Sequence, residues 1–228
     1  MCLSAEGNFG ASAVSGAVGA ATLSHTRHPR EVLFAAMPLL FALHQFTEGF
    51  VWLGLEGHID ELAFKNSSFL FVLYAQGILP FLMPLSVLLI EEVPWRRRVI
   101  GGIAAVAGIF SIYMIWGVVA FPTECYAEHR SIVFRNPVPE TVWTLLLYVF
   151  VTCGALILSG HFVVRVFGLL NLAGLTVVMI VKAYAFSSLW CFYAAILSVF
   201  LYWQFRQRNI SVSGGFRGGP VEPPRTSG

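Results

Sequence analysis

The chain has 228 residues, of which 57% are hydrophobic and only 11% charged, with a formal net charge of +2. A soluble domain of this length needs a far larger charged fraction to cover its surface, and so small a net charge argues against a nucleic-acid partner. Apolar runs near twenty residues, separated by short charged clusters, instead predict an all-α, polytopic membrane protein with the lipid bilayer as its first partner.

The first expected span, about 7–24, is built of small residues. Ser12, Gly16 and Ala20, and Ala13, Ala17 and Ala21, recur at every fourth position. Such stripes let helix backbones approach closely in lipid, where apolar surface alone drives no association. A secretory signal is the rival reading, but it needs a basic start, and the first base, Arg27, follows the apolar stretch. Six further spans are expected at about 31–55, 66–90, 99–121, 141–159, 162–183 and 186–205, with Pro80 and Pro84 bending the third. The plan is a seven-helix membrane domain over 1–206 and a disordered cytoplasmic tail over 207–228.

Orientation follows from the bases. With the amino terminus outside, the inner connections hold Arg27, Arg30, Arg96, Arg97, Arg98, Arg165, Arg206 and Arg208. The outer ones hold Lys65, Arg130, Arg135 and Lys182. That asymmetry predicts a cytoplasmic carboxyl terminus; a place in the plasma membrane is expected as well. The longest connection, 122–140, falls outside and is long enough to fold over the bundle as a lid.

The second span carries the sharpest signal. Among six histidines and twelve carboxylates, His44 and Glu48 alone fall deep within an apolar segment. Four residues apart on a helix, they share a face about 6 Å apart along the axis. An ionisable group at membrane depth costs a few kcal/mol or more unless paired or wetted, so two on one face predict a site. Gln45 neighbours them. Tyr74 and Gln76 on the third span, Tyr113 and Trp116 on the fourth, Thr144 and Tyr148 on the fifth, and Lys182, Trp190 and Cys191 beyond fall in the same outer half. A polar pocket opening outward satisfies them together.

Imidazole and carboxylate at this spacing can both reach one divalent ion, zinc or copper, given a further ligand. Cys191 is the candidate within a span; Cys125, His129 and Cys2 are others, and spacing selects none of them. The same pair suits a proton relay or general base, or serves as interhelical glue. Three function classes remain: a sensor or accessory protein binding a metal or small ligand, a membrane-embedded metal-dependent hydrolase acting on lipid or amide, and a small permease or proton-coupled carrier. No G-x-S-x-G or H-E-x-x-H run marks a hydrolase. The four cysteines show no C-x-x-C spacing, and Cys2 with Cys125, both outside, form a candidate disulfide.

The opening Met1-Cys2-Leu3-Ser4-Ala5 and the second-span run His44-Gln45-Phe46-Thr47-Glu48, continuing to Val51-Trp52, together carry a resemblance. The chain resembles an uncharacterised family of small, mostly bacterial integral membrane proteins that open with M-C-x-S-A and carry H-Q-x-x-E in the second helix. The likeness covers about residues 1–205. It implies membership without an activity, and it adds weight to Cys2 and Ser4.

Overall fold

The computed structural model describes residues 4–128, 131–136, 141–182 and 186–207, with the backbone alone at 178–182, 186–192 and 194–196. Helix α1 spans Ala5–Leu23. A 3-10 turn at Pro29–Glu31 leads into the short α2, Val32–Ala35, and then α3, Met37–Leu55. The second expected span is therefore interrupted near Ala36. Pro38, in the first turn of α3, has no N–H to continue the ladder from α2. Next come α4, Glu61–Val72, a π turn at Leu73–Ile78, and α5, Leu79–Ile90. Helix α6 is Pro94–Ala120, α7 Val142–Leu158, α8 Phe162–Lys182 and α9 Phe186–Arg206.

The structure is mostly helical but not purely so. Strands β1, Glu124–Glu128, and β2, Ser131–Arg135, pair antiparallel, with Cys125 opposite Phe134 and Glu124 opposite Arg135. The all-α expectation is corrected here. The stretch Ser131-Ile132-Val133-Phe134 is β-branched and aromatic, and an opposite-charge pair fixes its end. Its strand character is masked in sequence by the flanking polar and proline residues.

Among the described residues three helical stretches are long and apolar enough to cross a membrane: Pro29–Leu55, Glu61–Ile90 and Pro94–Ala120. Their outward faces fit lipid. Along α6, Ile109, Ile112, Trp116 and Val119 are all exposed, an apolar stripe no soluble bundle of this size leaves bare. Tyr113 lies exposed beside Trp116, so these two rings line the outside of the bundle rather than a central pocket.

Helix α1 packs along α3 and touches α9, α5 packs against α6 and α7, and α8 rests on α7 and α9. The small-residue prediction for α1 holds in kind and shifts in register. Ser12 donates to the carbonyl of Ala42 at 2.7 Å. A Cβ on Gly19 would stand 2.6 Å from the backbone nitrogen of Leu39. The buried face is Ala5, Asn8, Ser15, Gly19 and Thr22, whereas Ala13, Ala17 and Ala20 are exposed. A spacing that alternates three and four keeps a face on a 3.6-residue helix; strict fours drift off it. Ser4 caps this helix, its hydroxyl accepting from the N–H of Gly7 at 3.2 Å.

The buried apolar residues form two main bodies. The larger includes Phe34, Phe41, Met83, Phe110, Phe167 and Phe205; the smaller, under the hairpin, includes Ala5, Val51, Trp52, Phe71, Val118 and Ile132. Glu91, at the end of α5, is buried at the opposite end from the hairpin. Its carboxylate accepts from the N–H groups of Gly160 (2.6 Å) and Val93 (3.0 Å).

The π turn has a local cause. The N–H of Leu79 bonds to Tyr74 five residues back, so the next carbonyl, Ala75, is due a donor from Pro80, which has none. The Tyr148 hydroxyl supplies it at 2.9 Å from α7. Tyr148→Phe should therefore cost about 1–2 kcal/mol, read as a lowered melting temperature in detergent with the helical content unchanged.

Candidate functional site

Helix α3 is inside out. Its buried stripe is Phe41, His44, Gln45, Glu48, Val51 and Trp52, while Leu43 and Phe46 are exposed. A water-facing helix reverses that arrangement. Phe41 belongs to the larger apolar body and Val51 and Trp52 to the smaller, so His44, Gln45 and Glu48 form a polar layer between two apolar ones. Thr47 points away from the layer and satisfies its own hydroxyl on the Leu43 carbonyl at 2.9 Å.

Within that layer His44 is 2% exposed and Gln45 and Glu48 are 0% exposed. The imidazole stacks on Phe71 of α4, with ring centroids 4.0 Å apart and planes 19° off parallel. Tyr74 of the π turn lies on it at 4.8 Å. Aromatic surface thus fixes the ring without hydrogen bonds. Neither ring nitrogen of His44, and neither polar atom of the Gln45 amide, has a hydrogen-bond partner among the described residues. Burying such groups unpaired costs about 1–3 kcal/mol each.

The hairpin closes the layer from above. Phe134 of β2 stacks on the far side of Phe71 at 4.6 Å and 16°, which makes a column of Phe134, Phe71 and His44. The expected lid over 122–140 takes this form in its described part. Cys125, opposite Phe134, reaches Ser68 of α4 and feels the Glu48 carboxylate. Burial pushes its thiol up to about 12, the nearby Ser68 hydroxyl pulls the other way, and the Glu48 charge adds to the rise. Beside the lid a cleft of about 410 Å³ runs between α4, α6 and β1, with Ser68, Phe69, Phe121 and Cys125 in its wall.

The raised thiol has a measurable consequence. At pH 8 Cys125 should react with iodoacetamide on the order of a thousandfold more slowly than an ordinary thiol, by thiolate fraction. Glu48→Gln should speed it; site-resolved mass spectrometry reads both. The folded state holds this proton more tightly than the unfolded chain. Its contribution is therefore complete below the ordinary thiol value and is lost as pH rises toward about 12.

Of the residues expected to converge, His44, Gln45, Glu48 and Tyr74 do meet. Gln76 is two positions beyond Tyr74 in the same turn and leaves from another flank; it is half-buried, with its Oε1 unbonded among the described residues. Thr144 is spent at the start of α7, where Thr141 caps the helix. Cys2 and His129 lie outside the described residues, as do the side chains of Lys182, Trp190 and Cys191. Among the described residues no three His, Cys, Asp or Glu side chains gather in a metal-holding group, and Cys125 has a free thiol. Ser68, Phe71 and Phe134 escaped the sequence reading because ordinary serine and phenylalanine carry no signal of long-range contact.

Neither the curated proteins nor the solved structures provide a match. A family model matches residues 1–214, and it spans the polar layer, the lid and every described helix. The chain belongs to that family, a family of unknown function (DUF6629).

Proposed function

We propose that the protein is a multi-pass component of the plasma membrane whose His44–Gln45–Glu48 layer binds a metal ion or small polar ligand, in a sensing or accessory role. Seven spans, an outside amino terminus and a cytoplasmic tail complete the reading. The distribution of bases supports it, as does the separation of the hairpin end from the end bearing Glu91 and Arg96.

One observation carries the binding reading. His44 and Gln45 hold four buried polar atoms that no described residue satisfies. Native interiors pair nearly all such atoms, so each exception calls for an explanation, here a partner from outside the chain. A ligand with both donor and acceptor groups would answer the amide and the imidazole together. Glu48 supplies acceptor oxygens for a cation, which is how a zinc or copper ion would be held with His44. A cleft past Ser68 and Cys125 offers an approach from the side, with the hairpin as its cover.

The test is to purify the protein in mild detergent without a histidine tag and measure bound metal by mass spectrometry, beside His44→Ala and Glu48→Gln. About one metal per chain in wild type, absent from both variants, establishes the metal form. Native mass spectrometry of the same samples reads an organic ligand as an adduct on wild type alone. A folded wild type with neither metal nor adduct, before or after incubation with zinc or copper, would overturn the binding reading.

A further inference from the structure

At the opposite end from the hairpin, two half-buried arginines form no salt bridge with any described residue. Arg96 lies in the first turn of α6, and its Nη1 approaches Gly160, just before α8. Arg165 lies in the first turn of α8, its guanidinium 5.9 Å from the ring centre of Phe162. The Nε of each is buried with no hydrogen-bond partner, and no carboxylate pairs with either among the described residues. Glu91, the nearest buried acid, is already engaged by Gly160, Val93 and Ser159.

A groove of about 480 Å³ begins at the same place. It runs between α8 and α9, lined by Phe162, Val163 and Val166 on one side and Phe200 and Gln204 on the other. Phe162 and Arg165, three residues apart, share a helix face with Val166. The groove's wall is mostly apolar with Gln204 as its polar member, and Arg165 stands beside Phe162 at its start. A cation at a membrane boundary with no protein partner is stabilised by an anion from the lipid, and a guanidinium forks onto phosphate oxygens. Basic pockets between helices on the cytoplasmic side suit anionic headgroups, and the proposed orientation puts this end there.

We propose that the groove between α8 and α9 is a binding site for an anionic phospholipid, its phosphate held by Arg165 beside Arg96 and one acyl chain lying along Phe162, Val166 and Phe200. The site is separate from the polar layer on α3 and stands whether or not that layer binds a ligand. Neither α3 nor the hairpin contributes a residue to it.

The experiment uses the full chain in mild detergent, titrated with phosphatidylglycerol, with phosphatidylcholine of the same chains, and with inorganic phosphate. Native mass spectrometry counts the adducts and a thermal melt reads stabilisation. Phosphatidylglycerol should bind saturably at one site, at least tenfold more tightly than phosphatidylcholine. Arg165→Gln should weaken it about tenfold by removing the charge, and Val166→Trp by filling the groove with the charge intact. Equal binding of the two lipids, or phosphatidylglycerol binding that neither variant weakens, would overturn the proposal. Phosphate competing fully while Val166→Trp has no effect would also overturn it, in favour of a free anion. Circular dichroism of each variant confirms the fold; should Arg165→Gln not fold, the Val166→Trp comparison decides alone.

Discussion

Gly19→Leu should leave almost no folded protein, and Gly19→Ala should lower stability by about 1–3 kcal/mol. The reason is backbone, not side chain. A Cβ at Gly19 meets the Leu39 nitrogen at 2.6 Å and its Cα at 2.9 Å, and neither atom can rotate away. The helix pair must separate, which also lengthens the Ser12 bond to the Ala42 carbonyl. Leucine adds three more carbons to the same clash. Gly10 is the control, since nothing lies within 4 Å of its would-be Cβ. Gly10→Ala should be neutral or gain a few tenths of a kcal/mol from helix propensity. Size-exclusion profiles and melting temperatures in detergent separate the three variants. A Gly19→Ala protein as stable as wild type would mean that the α1–α3 contact is loose.

The second large effect runs the other way. In ligand-free protein, the double variant His44→Phe, Gln45→Met should be more stable than wild type by about 2 kcal/mol or more, from removing unsatisfied buried polar atoms. Phenylalanine keeps the stack on Phe71 and Tyr74, and methionine nearly conserves the glutamine volume. At roughly 2–4 °C per kcal/mol for a chain of this size, the melting temperature should rise by about 4–8 °C. Bound metal or ligand should be lost at the same time. Trading function for stability in this way marks a site, because structural polar groups show the reverse. A fall in melting temperature of similar size would make the layer interhelical glue and sink the binding reading.

The sequence exposed this layer because its members break the hydrophobic pattern of their own helix. His44 and Glu48 in a run of leucine and phenylalanine need no partner to be noticed. The helical stretches were equally legible, since length and hydropathy are properties of a segment alone. What stayed hidden depends on two segments at once. Phe134 is an unremarkable phenylalanine until the hairpin brings it over Phe71, and Cys125 acquires its environment only from Ser68 and Glu48. Tyr148 looked like a pocket residue and instead mends the carbonyl stranded by Pro80. The break at Ala36 was readable from Pro38, whose missing N–H is a local fact.

Helix α1 has a consequence for how the chain is made. It is not among the stretches apolar enough to cross a membrane by themselves, and Asn8, Ser15 and Thr22 are on its buried face. A lone segment of that character gains little from lipid and pays to bring its polar groups there. In the proposed topology its place in the bilayer would depend on α3, which follows it in the chain and offers the matching surface at Leu39 and Ala42. In the proposed topology α1 thus precedes α3 in synthesis but is secured only when α3 arrives, and the two would enter the membrane as a pair.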